Sequence, residues 1–145
     1  MTYDHIAFHY TNDFPDDLAQ ENAVHHIGFY FAWAVSQGLH NPEWAQATPD
    51  FAKLQKGELS GPKFVMAHMG GELSDDDFNE LGNRFTRFYY EDEEEGYGLF
   101  IEDYFNALGL ESEDDFYRTE DTAENQAKLN RAFQTGFDTW LSRLK

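Results

Sequence analysis

Four of the six histidines, His5, His9, His25 and His26, fall within the first 26 residues. Imidazole is the commonest metal ligand and the side chain whose ordinary pKa lies nearest neutrality. Between Tyr3 and Tyr10, Ile6, Phe8 and Tyr10 interleave with His5, Ala7 and His9. This period of two predicts an extended segment carrying His5 and His9 on one face. With Asp13 and Glu21 as carboxylates and His26 as a further nitrogen, the set His5, His9, Asp13, Glu21 and His26 could hold a metal or do acid–base work. His25 and His26 diverge by about 100° on a helix, which keeps them from binding one ion together. No HExxH spacing occurs, and rings so placed more often serve as hydrogen-bonding groups near a helix start. These residues therefore carry the expectation of no catalytic residue, metal or cofactor, with a metal-dependent enzyme as the alternative.

Carboxylates are the second source of chemistry. The chain has 28 acidic and 10 basic residues, a formal net charge of -18, and residues 72–124 hold 19 of the acids with only 3 of the bases. Such a field repels nucleic acid and anionic membrane and draws in a basic partner. The run Glu91-Asp92-Glu93-Glu94-Glu95-Gly96-Tyr97-Gly98 lacks the alternating ligands and closing glutamate of a calcium loop. On a helical wheel Phe78, Leu81, Phe85, Phe88 and Tyr89 share one side, and Tyr90 points the opposite way, toward solvent. The candidate partner-binding surface is thus Tyr89, Tyr90, Glu91, Asp92, Glu93, Glu94, Glu95 and Tyr97, with tyrosines for contact area and carboxylates for the partner's arginines and lysines.

The elements that must carry these groups are helical. Ala23, Val24, Ile27, Tyr30, Phe31 and Ala34 form one apolar stripe, and Phe29, Ala32 and Trp33 occupy the other side. This predicts a central helix from about Leu18 to Gln37 with neighbours all round, ended by Gly38. Start signals at Thr48-Pro49 and Ser60-Gly61-Pro62 predict two short helices, ended by Gly57 and by Gly70-Gly71. Ser74 with Asp75, Asp76 and Asp77 predicts a further helix start. Beyond the acidic run, a helix is expected from about Leu99 to Leu108, then an irregular stretch pinned by Phe116 and Tyr117. A last helix starts near Thr122 with the stripe Leu129, Phe133, Phe137, Trp140 and Leu144. The expectation is a mainly α fold, a single domain over residues 1–145 built as a helical bundle around the central helix, with a short extended N-terminal segment. The absence of cysteine excludes disulfides and thiolate chemistry. No apolar run reaches membrane-spanning length and no secretory signal opens the chain, so the expected location is cytoplasmic.

At Asp13-Phe14-Pro15, Asp17-Leu18, His26-Ile27-Gly28, Ala32-Trp33, Phe51 to Gln55 and Phe64-Val65-Met66, the chain resembles an uncharacterised family of small acidic bacterial proteins. The resemblance covers the first half best; it implies a bacterial cytosolic domain and carries no catalytic residues. By analogy alone, small acidic proteins of this kind look like the immunity proteins that neutralise toxins. The functional expectation is a non-enzymatic protein-binding domain, an immunity or antitoxin protein occluding a basic toxin. A self-associating structural or adaptor protein is a further alternative, and the oligomeric state stays open.

Overall fold

The computed structural model describes residues 1–10, 14–90 and 98–144. In chain order, the elements begin with β1 (Thr2–His5), a 3-10 turn (Ile6–His9), a second 3-10 turn (Gln20–Val24), α1 (His25–Ser36) and α2 (Trp44–Ala47). They continue with α3 (Asp50–Gln55), α4 (Gly61–His68), β2 (Glu72–Ser74) and a 3-10 turn (Asp75–Asp77). Then come α5 (Glu80–Tyr89), α6 (Gly98–Leu108), a 3-10 segment (Glu113–Arg118) and α7 (Ala123–Arg143). The fold is mainly α, and among the described residues an antiparallel pair, β1 on β2, brings Asp4 opposite Leu73.

The helix α1 is the centre of the packing, as its sequence predicts. Ile27, Phe29, Tyr30, Phe31 and Ala34 are wholly excluded from solvent, and Trp33 very nearly so. Each such ring removes about 150–250 Å² from water, so a helix buried all round anchors every layer laid against it. The ring of Tyr30 meets Tyr90 at 4.9 Å and Phe100 and Phe133 at 5.7 Å. On the next turn Trp33 meets Phe85 and Phe137 at 5.6 Å, which ties α1 to α5 and α7. One buried polar pair crosses this apolar body, with Tyr30 Oη and Thr86 Oγ1 2.9 Å apart. The stop is the expected one: Gly38 has φ +71°, a left-handed conformation that glycine takes without steric cost.

Three boundaries differ from the sequence expectation. The α1 helix begins at His25 rather than near Leu18, because Ala19 is extended and Asn22 gives its side-chain amide to the Tyr117 carbonyl. A 3-10 turn fills the gap. After Ser74 the chain makes only one 3-10 turn, and Phe78 returns to an extended conformation that buries its ring. The α5 helix is then started by Asn79, whose Oδ1 accepts the Gly82 N–H at 2.7 Å. The N-terminal extended segment ends at His5 instead of running to Tyr10. That early end assembles the site.

Candidate metal and proton site

Two local hydrogen bonds stop β1. His5 Nδ1 accepts the Ala7 N–H at 3.0 Å and caps the 3-10 turn, while Asp4 Oδ1 accepts the His5 N–H at 2.8 Å. Such bonds offer the backbone an alternative to the sheet ladder. The turn carries the chain back over β1, so His9 lies on Asp4 and not in line with His5. The expected shared face of His5 and His9 is therefore corrected. His26 arrives from the first turn of α1 on its buried side. His25, one residue earlier, diverges as expected and bonds the Thr119 carbonyl through Nδ1 at 2.6 Å.

Asp4, His9 and His26 converge from three elements with their ligand atoms close enough to share an ion. His9 Nε2 lies 2.7 Å from Asp4 Oδ1, His26 Nε2 lies 3.0 Å from Asp4 Oδ2, and the two Nε2 atoms are 3.1 Å apart. Two phenols complete the network. The Tyr90 O–H donates to Asp4 Oδ2 at 2.5 Å, and Tyr117 Oη is 2.6 Å from His9 Nδ1. Asp4 and His26 are buried, and the His9 side chain keeps 18% of its surface exposed, making it the side open to solvent.

Burial alone would raise the Asp4 carboxyl, but the hydrogen bonds from His26 and His9 outweigh it and hold the group well below the ordinary carboxylate range. Burial also holds the His26 imidazole below its usual value against the opposing pull of Asp4. The Tyr90 phenol is pushed up by burial and then by Asp4, and Tyr117 for the same reasons is pushed up to about 12. Both phenols are thus protonated at neutral pH.

With an ionised carboxylate and a neutral His26, the short contact between the two Nε2 atoms is informative. If both carry protons, two donors face one another at 3.1 Å. If either ring carries its proton on Nδ1 instead, an Nε2 lone pair faces a carboxylate oxygen. A cation would accept both lone pairs and the carboxylate together, and His9 would then hold its proton on Nδ1, toward Tyr117. That is the usual support for a ligating histidine. His26 Nδ1 has no hydrogen-bond partner among the described residues and is unpaired in either tautomer.

Of the residues the sequence singles out for a metal, His9 and His26 come together, and Asp4 supplies the carboxylate. Glu21 is exposed on the 3-10 turn before α1, and His5 is used as a cap. Asp13 lies outside the described residues. Tyr90 is corrected: it is only 6% exposed, because α6 and β1 cover the end of α5 on the side the wheel leaves open. Tyr89 is buried as well and donates to Asp103 at 2.5 Å, so neither ring offers contact area to a partner. Glu91, Asp92, Glu93, Glu94, Glu95 and Tyr97 lie outside the described residues. Two surface grooves, of about 400 and 490 Å³, open along α7, and no member of the cluster lines either. Among the described residues no helix is long and apolar enough to cross a membrane.

A family model described as "Domain of unknown function (DUF7832)" matches residues 2–119. All five residues of the network lie inside that stretch, and α7 lies beyond it. No curated protein and no solved structure matches the chain.

Proposed function

We propose that the chain, which belongs to this DUF7832 family, is a metal-dependent protein whose centre is Asp4, His9 and His26. The observation that supports it is the pair of imidazole nitrogens 3.1 Å apart against one carboxylate, brought together from β1, the following turn and α1. Two neutral imidazoles and a carboxylate suit borderline divalent ions such as Zn(II), Fe(II) and Co(II). Three protein ligands leave a coordination position for water, the arrangement of catalytic rather than structural centres. A bound ion would lower the pKa of that water and make it the reactive group. The reading is therefore an enzyme acting on a substrate small enough to reach the centre from the His9 side. The net charge of -18 favours cation uptake. Untagged protein incubated with micromolar Zn(II) or Co(II) and desalted is expected to retain about one equivalent, and His9→Ala or His26→Ala less than about a tenth. A native chain that also retains less than a tenth would remove the proposal.

A second reading rests on charge. The 19 acidic and 3 basic residues between positions 72 and 124 favour a non-enzymatic domain that occludes a basic partner, in the manner of an immunity or antitoxin protein. Capture from the native host should then recover a basic protein whose affinity falls steeply with salt and with replacement of Glu91, Glu93, Glu94 and Glu95 by Gln. Affinity indifferent to both changes would exclude it.

A further inference from the structure

We propose that Tyr90 sets the metal preference of this centre by keeping Asp4 a one-oxygen ligand, an inference that rests on the reading of Asp4, His9 and His26 as ligands. Each Asp4 oxygen faces one imidazole and one further donor. Oδ1 has the His5 backbone N–H at 2.8 Å, and Oδ2 has the Tyr90 hydroxyl at the shorter 2.5 Å. The phenol is a fixed donor, because its ring is clamped between Phe100 at 4.3 Å and Tyr30 at 4.9 Å. The phenol holds one lone pair of Oδ2 at a shorter distance than the His5 N–H keeps from Oδ1, so Oδ2 is the poorer donor of the two and an ion bound by His9 and His26 takes Oδ1 first.

One short carboxylate bond suits a small ion such as Zn(II), with Zn–O of about 2.0–2.2 Å. Larger, oxygen-seeking ions such as Mn(II) gain more from chelation by both oxygens. Tyr90 thus discriminates by withholding the second oxygen. Tyr117, whose hydroxyl meets the far nitrogen of His9 and neither oxygen of Asp4, supports either ion equally.

The test is competitive titration of Zn(II) and Mn(II) into the native chain, Tyr90→Phe and Tyr117→Phe. Tyr90→Phe keeps the clamped ring and removes the hydroxyl, and is expected to narrow the ratio of Zn(II) to Mn(II) affinity by about tenfold, the lower end of outer-shell effects. Tyr117→Phe is expected to weaken both ions and leave the ratio unchanged. A ratio that holds within about twofold in Tyr90→Phe overturns the proposal while leaving the metal centre standing, and a native chain that binds neither ion removes both.

Discussion

Asp4→Ala protein, freed of metal by chelation, is expected to be about 3–5 kcal/mol less stable than the native chain, with an unfolding midpoint lower by roughly 10 °C. The substitution removes the partner of the His5 N–H, of the Tyr90 hydroxyl and of the Nε2 atoms of both imidazoles. His9 can turn to water, but His26 and Tyr90 are enclosed, and an unsatisfied buried polar group carries its full desolvation cost. The same change should abolish metal retention.

The pH dependence separates this effect from a simple cavity. Folding favours the ionised form of Asp4, so its stabilisation is present above about pH 4 and is lost as pH falls below that value. Folding favours the neutral form of His26, a contribution present above about pH 6.5 and lost as pH falls through the lower folded value. Without Asp4 nothing offsets the burial of that ring. The variant should therefore go on losing stability with falling pH below the point where the native His26 takes up its proton, and below about pH 4 the loss of the Asp4 contribution should begin to narrow the gap. Asp77 works in the opposite sense. Burial pushes its carboxyl up to about 6, so its contribution is present below about pH 4 and lost as pH rises through 6. Both proteins contain it, and it cancels in the difference. A stability gap that stays constant from pH 7 to pH 3 would show that Asp4 is not held ionised by its partners.

The parts of this molecule legible in the sequence are those decided by local chemistry. Gly38, Gly57 and Gly109 take positive φ where chain stops are expected, and Thr122 caps α7 by accepting the Asn125 N–H. The stripe of Leu129, Phe133, Phe137 and Trp140 is the buried side of α7, whereas Leu144, expected on the same side, lies past the helix end and is 47% exposed. The site was legible only in part, because its pairs are distant in the chain. Asp4 meets His26 across 22 positions and Tyr90 across 86. An aspartate in a short strand carries no mark of such partners. The alternation from Tyr3 to Tyr10 was a real pattern with the wrong cause, since the side chains of Asp4 and His5 turn the backbone before a strand of that length can form. A helical wheel assumes one buried face and so leaves Tyr90 in solvent, whereas the end of α5 is enclosed by the returning α6. The Tyr90–Phe100 contact at 4.3 Å was the deciding fact, and no periodicity contains it.

Gly28→Ala tests the placement of α1 from the other side, and is expected to destabilise the chain by about 3 kcal/mol or more, at or above the upper end of ordinary overpacking. A Cβ at position 28 would lie 2.2 Å from Pro62 N and 2.3 Å from Pro62 Cα. A Cβ on the facing Gly61 would lie 2.0 Å from the Gly28 carbonyl oxygen. The obstructing atoms are backbone, so no side-chain rotation gives relief, and α4 must move away from α1 as a whole. The dependent contacts include Phe31 on Phe64, with ring centroids 6.0 Å apart. Gly38→Ala is the control. It strains a positive φ with nothing within 4 Å of the new methyl, and should cost only about 1 kcal/mol. Equilibrium urea unfolding of both variants compares contact with conformation directly. If Gly28→Ala loses no more than Gly38→Ala, the two helices are not held in backbone contact. If it loses several times as much while Co(II) retention persists, the glycine pair sets helix packing, and the first turn of α1 still presents His26 to Asp4 and His9.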